Sequence, residues 1–441
     1  MDADVVVIGA GAAGLAAARA LARGSASVVA IEARDRIGGR IFSVPTPDGS
    51  SPAELGAEFV HGPAVETRAL IARSGGIAVD SIGASWVQAG GSLAPLETDV
   101  TAAGSLLAAA RELSRDESVD RYLARFAGDD ARRAAVEEAR LFAEGFDAAD
   151  PAIASAWSIA DEILSGTDFA SAWPSKGYAP ILARLVADVA DAGGRLTVSS
   201  RVRGLRWSRN RVAVDVVDAA GRPAPLTARA AVVTVPAGVL NAEGDASIAF
   251  VPDLPPHFRE ALRFVAMGHV VKVVMRFATP FWRQIAGGRY RDAGFFRSRG
   301  GPFVVFWTQA PVHPSDVVVA WVGGPGAERL RDVPAAERID LALEQFGAML
   351  GDVEGARAAF AGGATHDWTR DPFARGAYSY VLTGGADARR AIADAVEQTL
   401  FFAGEATAVD GQGGTVNGAI RSGERAARQA LQALSEKGAP R

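Results

Sequence analysis

The segment DADVVVIGAGAAGLAAARALARGSASVVAIEARDRIGGR (residues 2–40) has the pattern of a buried strand, a glycine turn, an alanine-rich helix and a second strand. Gly9, Gly11 and Gly14 give the spacing G-x-G-x-x-G inside this strand–helix–strand unit, the context that a dinucleotide-binding site requires. The first glycine permits the tight turn, the second lets the backbone approach a pyrophosphate, and the third brings helix and strand together. Glu32 is placed to bind ribose hydroxyls. The segment predicts dinucleotide binding; the alternative is that the glycines serve only the close packing of strand and helix.

The composition narrows the class of protein. A chain of 441 residues predicts two or three domains at roughly 100–200 residues each. Hydrophobic residues make up 49% and charged residues 22%, which is typical of a globular protein. The net charge of −5 provides no basic field, so we predict neither nucleic acid nor an anionic membrane as a partner. The absence of cysteine excludes disulfides, thiolate metal sites and cysteine-linked cofactors.

The termini and the hydropathy favour a cytoplasmic location. Asp2 and Asp4 stand where a signal peptide needs positive charge. No stretch approaches the ~20 apolar residues of a membrane span, and the C-terminal SEKGAPR is polar. The five histidines are scattered, so we predict no metal site, and no G-x-S-x-G motif indicates a hydrolase.

Three separated motifs resemble the flavin-containing amine oxidase family, which includes monoamine oxidases, polyamine oxidases and flavin-dependent histone demethylases. The first extends the opening unit into EARDRIGGRIFS (32–43), where Arg36, Gly38, Gly39 and Arg40 look like the family's second phosphate-contacting turn. The others are VVTVPAGVL (232–240) with the segment 248–282 behind it, and DWTRDPFARGAYSYV (367–381) followed by LFFAGEATAVDGQGGTVNGAIRSGERAA (400–427). The resemblance covers nearly the whole chain.

The resemblance implies FAD rather than NAD, because a second glycine-rich site near the C-terminus is placed to hold the flavin half. Glu405 would lie near the pyrophosphate and ribityl chain, and the helix starting near Thr415 would direct its N-terminus at the flavin's pyrimidine edge. Trp368 matches a tryptophan that backs the flavin, with an ordinary core indole as the alternative. The implied cofactor-binding residues are Gly9, Gly11, Ala13, Gly14, Glu32, Ala33, Arg34, Gly38, Gly39, Arg40, Gly56, Ala57, Glu58, Phe59, Val202, Trp368, Gly404, Glu405, Gly414, Thr415, Val416 and Ala419.

The order of the motifs predicts an α/β protein with two interleaved domains. We expect a Rossmann-like FAD-binding domain, a mostly parallel sheet with helices, from residues 1–80, 195–245 and 390–435. We expect an α+β substrate-binding domain, a helical part plus a mixed sheet, from residues 81–194 and 246–389. The final helix is expected to pack on the opening unit.

Lys272 is the first candidate catalytic residue. It is one of only three lysines among 46 basic residues, and it lies in the apolar strand HVVKVVMRF, where a charged side chain facing the core is costly without a partner. In the family, the matching lysine holds a water against the reactive flavin nitrogen. The alternative is a solvent-facing position in a strand with alternating faces.

Tyr378 is the second candidate, because it matches one wall of the family's two-ring substrate cage. Thr415 stands where the opposite ring often lies, so the cage is half open or is completed by Trp173 or Phe306; Tyr380 is also assigned to the pocket. Ala377 stands where monoamine oxidases carry the cysteine that attaches the flavin. The resemblance therefore implies non-covalent FAD, with a histidyl linkage as the alternative.

The segment ELGAEFVHGP (54–63) resembles the family segment that crosses the flavin face. His61 falls where polyamine oxidases often have a histidine or an acid that contacts substrate; the alternative is a structural histidine. No arginine occurs in this segment to pair a substrate carboxylate, which favours amines over amino acids. Glu144 and Asp147 could line an entrance for a cationic substrate, or form a solvated helix end.

The resemblance implies oxidation of a primary or secondary amine, including polyamines. A hydride passes from the carbon next to nitrogen to the flavin, the imine hydrolyses, and oxygen re-oxidises the flavin to give hydrogen peroxide. Alternatives are an amine dehydrogenase with another electron acceptor, an amino-acid oxidase, and a flavoprotein without turnover. The expected partners are a small amine and oxygen, in a monomer or homodimer.

Overall fold

The computed structural model describes residues 1–45, 52–89, 92–96, 100–166, 171–310 and 316–436. The strands within these ranges are β1 (Ala3–Ile8), β2 (Val28–Ile31), β3 (Ser43–Val44), β4 (Ala53–Glu54), β5 (Val60–His61), β6 (Ala78–Asp80), β7 (Ala84–Ala89), β8 (Ser92–Pro95), β9 (Ser171–Pro174), β10 (Arg195–Thr197), β11 (Arg201–Ser208), β12 (Arg211–Val217), β13 (Leu226–Val233), β14 (Ala249–Val251), β15 (Val265–Met267), β16 (Val270–Phe277), β17 (Ala293–Arg297), β18 (Val305–Trp307), β19 (Val317–Gly323), β20 (Phe360–Thr365), β21 (Ser379–Val381) and β22 (Leu400–Phe402).

The α-helices of the same ranges are α1 (Ala12–Arg23), α2 (Val65–Arg73), α3 (Val100–Ala108), α4 (Val119–Leu123), α5 (Arg133–Gly145), α6 (Ala156–Leu164), α7 (Ala179–Asp191), α8 (Ala237–Leu240), α9 (Pro256–Arg263), α10 (Gly324–Glu328), α11 (Ala335–Leu350), α12 (Val353–Ala359), α13 (Ala388–Ala391) and α14 (Val416–Ser435). Helices α3 to α6 form a helical region with its own apolar core.

The first sheet contains the predicted dinucleotide unit. Its strand order within the described residues is β10-β2-β1-β13-β12-β11-β14, with β22 also paired to β13. The pairs β10–β2, β2–β1, β1–β13 and β13–β22 are parallel, whereas β13, β12 and β11 are antiparallel neighbours. The predicted α/β class is confirmed. The strands come from separated parts of the chain. Strand β14 belongs to this sheet although it lies beyond residue 245, where the second segment of the FAD-binding domain was predicted to end.

Helix α14 packs on α1 and joins the C-terminus to the opening unit. Their alanine-rich faces form one apolar core with β1 and β2, and a Cβ on Gly423 would lie 2.2 Å from the Ala13 carbonyl oxygen. Two helices can approach this closely only where small residues face each other. The packing places the start of α14 beside the start of α1.

The second sheet has the order β20-β16-β19-β18-β17-β7-β8 in the described part of the chain. One face packs on α11: Val271, Val273 and Met275 from β16 join Phe346 in a single core. Because strand side chains alternate, Lys272 points to the opposite face. The hairpin β7–β8 lies within residues 65–194, where apolar residues at three- and four-residue spacing predict mostly helices. Strand β7 pairs with β17 in parallel.

Candidate active site

A cavity of about 770 Å³ is lined by residues of both large sheets and of the helical region. Both predicted catalytic residues, Lys272 and Tyr378, line it, and so do His61 and Thr415. Every predicted cofactor-binding residue except Gly14 also lines it, namely Gly9, Gly11, Ala13, Glu32, Ala33, Arg34, Gly38, Gly39, Arg40, Gly56, Ala57, Glu58, Phe59, Val202, Trp368, Gly404, Glu405, Gly414, Thr415, Val416 and Ala419. Segments more than 400 residues apart in sequence therefore meet at one space.

The first turn of α1 forms one end of the cavity. N–H groups in the first turn of a helix have no partner inside the helix, and the N-cap residue Gly11 provides no side-chain acceptor for them. They and the helix dipole suit a pyrophosphate. Gly14 lies in the same first turn and sets the distance between helix and strand, because a Cβ there would lie 1.9 Å from the Gly9 carbonyl oxygen.

Glu32 lies just beyond the C-terminal end of β2, with only 4% of its surface exposed. Its Oε2 accepts a hydrogen bond from the Ala10 N–H at 2.8 Å, and its Oε1 accepts one from the Arg34 N–H at 2.9 Å. These bonds fix a carboxylate in the cavity wall. The free lone pairs of such a carboxylate are suited to ribose hydroxyls.

The second glycine turn is attached to the first. The Gly38 N–H donates to the Ala10 carbonyl at 2.8 Å, and the φ of Gly38 is +96°, in the region that favours glycine. Arg36 does not line the cavity: its Nη1 donates to the carbonyls of Gly39 at 3.0 Å and Ile41 at 3.3 Å. Arg36 thus fixes the shape of the turn, and Arg40 is the arginine of this turn that faces the cavity.

Glu405 joins the two glycine-rich sites. Its Oε1 accepts from Arg40 Nη1 at 2.7 Å, and its Oε2 accepts from Ser379 Oγ at 2.6 Å and from the Gly414 N–H at 3.0 Å. Burial alone would raise the pKa of Glu405, but Arg40, Arg389 and the hydrogen bonds hold it below the usual value. A charged carboxylate therefore remains in a buried wall.

The start of α14 forms the adjoining wall. Thr415 is its N-cap, with Oγ1 accepting from the Gly418 N–H at 2.9 Å, and Thr415 and Val416 line the cavity. The N-terminal end of this 20-residue helix carries a partial positive charge. It lies next to Tyr378, whose Cδ2 would be 3.4 Å from a Cβ on Gly414.

Lys272 lies in the cavity wall with 5% of its surface exposed. Its Nζ is 2.6 Å from Glu58 Oε2 and donates to the Gly56 carbonyl at 3.1 Å. Trp307 Nε1 donates to the other carboxylate oxygen of Glu58 at 3.0 Å. The ammonium group is therefore fixed by a buried ion pair, a partner that the sequence pattern did not indicate. Of its three N–H bonds, the two contacts described leave one for the cavity.

Aromatic side chains cover much of the remaining wall. Tyr378 packs against a cluster that contains Trp368, and burial raises the pKa of the Tyr378 hydroxyl, so it stays neutral. Trp368 is 3% exposed and donates Nε1 to the Leu55 carbonyl at 3.0 Å. Trp321 packs against the same cluster and also lines the cavity. The sequence pattern did not single out Trp321.

His61 lines the cavity near Phe146, with 4.7 Å between the ring centroids. Its Nδ1 lies 2.9 Å from Ser171 Oγ. Burial lowers the pKa of His61 to about 4. The ring is therefore neutral at neutral pH and does not repel a cationic ligand.

Three residues predicted for the pocket lie outside the cavity wall. Phe306 is fully buried in the core under α11, because alternation along β18 directs its neighbour Trp307 to the cavity face instead. Trp173 packs behind Phe59, with 5.3 Å between the rings. Tyr380 belongs to the core of the helical region. The assignment of these three to the pocket is corrected accordingly; Trp307 is the indole that reaches the cavity.

The two acids predicted at a substrate entrance differ in position. Glu144 lies outside the cavity wall and forms an ion pair with Arg140 at 3.5 Å. Asp147 lines the cavity, together with Glu162 of α6. The sequence analysis missed Glu162, because a charged residue in the last turn of a helix is usually exposed.

A metal-binding cluster and a membrane-spanning helix are both absent from the described residues. Among them, no His, Asp or Glu side chains form a group of three or more that could hold a metal ion. Nor does any helix of the described ranges combine the length and apolar content needed to cross a bilayer.

The cavity fits an elongated dinucleotide cofactor. Uncapped N–H groups and Glu32 lie at the α1 end. Glycine-rich backbone, the start of α14 and a buried cation at Lys272 lie further along the wall. Arg40, in the same wall, supplies a positive charge for phosphate. These groups match the phosphate, ribose and ring portions of a dinucleotide.

Known proteins are similar in sequence to nearly the whole chain. The protein is 28% identical to lysine-specific histone demethylase 1 homolog 2 of Oryza sativa subsp. japonica over 99% of this chain and 58% of that protein. It is 26% identical to human lysine-specific histone demethylase 2 over 96% of this chain and 53% of that protein. The chain thus spans little more than half the length of these demethylases. Polyamine oxidase 4 of Oryza sativa subsp. japonica is 27% identical, over 99% of this chain and 90% of that protein.

Solved structures show the same fold. A wild-type putrescine oxidase bound to putrescine superposes with a TM-score of 0.81 at 22% identity, covering 98% of this chain and 99% of that one. Cyclohexylamine oxidase from Brevibacterium oxydans IH-35A has a TM-score of 0.80 at 21% identity, covering 99% and 100%. A profile for NAD(P)-binding Rossmann-like domains matches residues 7–73. The profile for flavin containing amine oxidoreductases matches residues 90–431, well over half of the chain, and the protein therefore belongs to the flavin-containing amine oxidoreductase family.

Proposed function

We propose that the protein is an FAD-dependent amine oxidase that acts on small primary or secondary amines and produces hydrogen peroxide. The observation that carries the proposal is the fixed Lys272 ammonium group in the wall of a cavity that also presents Tyr378 and the two glycine-rich sites. The chemistry that bound FAD supplies is acceptance of a hydride and transfer of its electrons to oxygen. Polyamine oxidase 4 and the putrescine oxidase among the similar proteins support the amine as substrate class.

The residues of the chain orient the amine and exclude water. Aromatic rings such as Tyr378 and Trp321 guide an amine through their faces without forming an ion pair. His61 remains uncharged because burial lowers its pKa to about 4. A nitrogen must lose its charge before its neighbouring C–H bond can be oxidised, and a wall of neutral rings favours the uncharged amine.

We propose that FAD is bound without a covalent link. Ala377 lies in the cavity wall, and the chain has no cysteine. Among the histidines in the described part of the chain, His61 alone lines the cavity. Its Nδ1 contacts Ser171.

An amino-acid substrate fits the cavity less well than an amine. A substrate carboxylate needs a cationic partner, usually an arginine. Residues 54–63, which contribute Leu55 to His61 to the cavity wall, contain no arginine. The arginines of the wall lie in other segments, and Arg34, Arg40 and Arg297 are paired with Asp371, Glu405 and Glu138.

The test is reconstitution of purified protein with FAD, followed by anaerobic addition of monoamines, diamines, polyamines and amino acids. We expect a bound flavin spectrum, bleaching by amines, and peroxide when oxygen is admitted. Acid precipitation should release the flavin into the supernatant if it is not covalently bound. No flavin binding, or no bleaching by any amine, would overturn the proposal. Bleaching without peroxide, with turnover restored by a dye acceptor, would replace the oxidase with a dehydrogenase.

A further inference from the structure

Arg389, on the short helix α13, lies behind the cavity wall and does not itself line the cavity. Its side chain is only 14% exposed. The helix is firmly anchored, because Ala388 and Ile392 at its two ends belong to the apolar core that contains strands of the first sheet. The site described so far assigns Arg389 only a share in keeping Glu405 charged. A guanidinium group this buried needs acceptors for its N–H groups, so its contacts show which parts of the wall it holds.

The guanidinium group of Arg389 joins two segments of the wall. Nη2 donates to the Ser379 carbonyl at 2.8 Å, and Nη1 donates to Ser379 Oγ at 2.9 Å and to the Glu405 carbonyl at 3.3 Å. Ser379 is the first residue of β21 and follows Tyr378, whereas Glu405 lies in the second glycine-rich site. A planar group with donors in fixed directions holds both segments at one separation, which the single nitrogen of a lysine cannot do.

The contact with Arg389 also fixes the direction of the Ser379 hydroxyl. An arginine donates hydrogen bonds and never accepts them, so Ser379 Oγ is the acceptor in this contact. Its own hydrogen therefore points to Glu405 Oε2, 2.6 Å away. The same Oε2 accepts the Gly414 N–H at 3.0 Å, and Gly414 precedes Thr415, the N-cap of α14. A directed chain of hydrogen bonds thus runs from Arg389 through Ser379 and Glu405 to the start of α14.

Gly413 places the loop before α14 against the same guanidinium group. A Cβ on Gly413 would lie 2.7 Å from Arg389 Cζ, and that group cannot move aside without losing its three hydrogen bonds. The next residue, Gly414, lies beside Tyr378, because a Cβ there would be 3.4 Å from Tyr378 Cδ2. Arg389 therefore supports both the β21 side and the α14 side of the wall around Tyr378.

We propose that Arg389 is a positioning residue that fixes the start of α14 relative to Tyr378 and thereby raises the reduction potential of bound FAD. The inference rests on the proposed function, in which the ring portion of FAD lies against this helix end. The positive end of α14 favours the negative charge that reduction adds to the ring portion. Displacement of the helix end weakens this effect, while the phosphate and ribose contacts at the α1 end remain.

The experiment measures the two-electron reduction potential of bound FAD, by reductive titration against a reference dye, together with the dissociation constant of FAD. Arg389→Lys keeps the positive charge but loses the fork of donors, and Arg389→Met loses both. Ser379→Ala removes the hydroxyl from the chain of hydrogen bonds and leaves Arg389 in place. Arg390→Met is the matched control, because Arg390 is the next residue of the same helix but is exposed and does not line the cavity.

In Arg389→Met we expect the equilibrium constant for flavin reduction to fall at least about tenfold, which is about 30 mV for a two-electron couple. The dissociation constant of FAD should rise less than about fivefold. Arg389→Lys should lower the same equilibrium constant at least about threefold, because the geometry of the donors and not the charge alone positions the wall. Ser379→Ala should lower it at least about twofold, and Arg390→Met should leave it unchanged.

A potential in Arg389→Lys equal to that of the wild type would show that only the charge matters and would overturn the positioning role. Thermal unfolding shows which variants are folded; if neither Arg389 variant binds FAD, Ser379→Ala decides by the twofold criterion. The potential is measured without an amine, so the two proposals fail separately. Wild-type protein that binds FAD but is reduced by no amine would contradict the proposed function and not the role of Arg389.

Discussion

The two ends of the cavity are built from different kinds of chemical group. At the α1 end the wall is mainly backbone: glycine turns and helix N–H groups, all within residues 9–39. At the Lys272 end it is made of side chains from remote segments, since Glu58, Lys272 and Trp307 are brought together only by folding. At Gly9, Gly14 and Gly38 an added Cβ would lie within 2.7 Å of another atom, whereas a wall of side chains survives substitution but loses a charge or a hydrogen-bond donor. Substitutions at the backbone end should therefore reduce stability and cofactor binding, whereas substitutions at the side-chain end should mainly change reaction rates.

The largest effect is expected at the backbone end, for Gly14→Ala. The new Cβ would lie 1.9 Å from the Gly9 carbonyl oxygen, so helix and strand must separate. We expect a loss of at least about 3 kcal/mol of stability and at least a tenfold loss of flavin occupancy, measured by urea unfolding and by the flavin-to-protein absorbance ratio. Gly128→Ala is the control, because a Cβ there meets nothing within 4 Å. Full occupancy in Gly14→Ala would show that the turn is not a tight cofactor cradle.

At the side-chain end, Lys272→Met should leave FAD bound but slow flavin reduction or re-oxidation at least about tenfold, roughly 1.4 kcal/mol of barrier. The reason is loss of a fixed ammonium group that Glu58 and Gly56 hold in the wall. Anaerobic and oxygen-jump stopped flow separate the two half-reactions. Unchanged rates in both would refute the role of Lys272.

Glu58→Gln tests whether Glu58 acts through Lys272. Loss of the 2.6 Å contact between Lys272 Nζ and Glu58 Oε2 frees the ammonium group. We therefore expect a three- to tenfold change in the rate of the half-reaction that Lys272→Met affects, and a shift in the reduction potential of the bound flavin. In the Lys272→Met background the same substitution should have little further effect, because residues that share one interaction are not additive. Independent effects that simply multiply would contradict a shared role.

Smaller effects are expected for substitutions at the neighbouring β18 residues Phe306 and Trp307, which face opposite sides of the sheet. Phe306→Leu should cost about 1–2 kcal/mol of stability through a cavity in the core with kcat/KM unchanged within about twofold. Trp307→Phe should cost a similar amount of stability, because the buried Glu58 loses the N–H donor at 3.0 Å, and should in addition lower kcat/KM about two- to fivefold. Urea unfolding and steady-state kinetics of both variants check this. The reverse pattern would mean that the faces of the strand are exchanged.

The last prediction concerns His61 and pH. Its pKa is lowered by burial from 6.5 to about 4, so between these values the unfolded chain binds a proton that the folded protein does not. Stability should therefore fall as the pH drops from about 6.5 to about 4, by at most about 3 kcal/mol. Urea unfolding of His61→Gln should lack this component. The exposed His257→Gln is the control, and an equal change in both variants would exclude His61 as the cause.

The cofactor-binding residues predicted from the sequence lie together in the fold. Every cofactor-binding candidate lines the cavity except Gly14, whose contact with Gly9 is the one that the spacing indicated. The hairpin β7–β8 was missed, because its hydrophobic pattern is short and its pairing with β17 joins residues about 200 positions apart. The pocket was predicted less well: Phe306, Trp173 and Tyr380 are aromatic and buried, and burial alone does not tell which space a ring faces.

The sequence by itself determined the glycine turns, the apolar strand around Lys272 and the absence of a cysteine for covalent flavin attachment. These features are local, because a turn or a strand is specified by residues next to each other in the chain. Tertiary structure decided that Trp307 and not Phe306 faces the cavity, that Glu58 holds Lys272, and that Glu162 of α6 lines the cavity. In β18 both faces are buried, so alternation leaves two equivalent assignments, and only the packing of remote segments selects one.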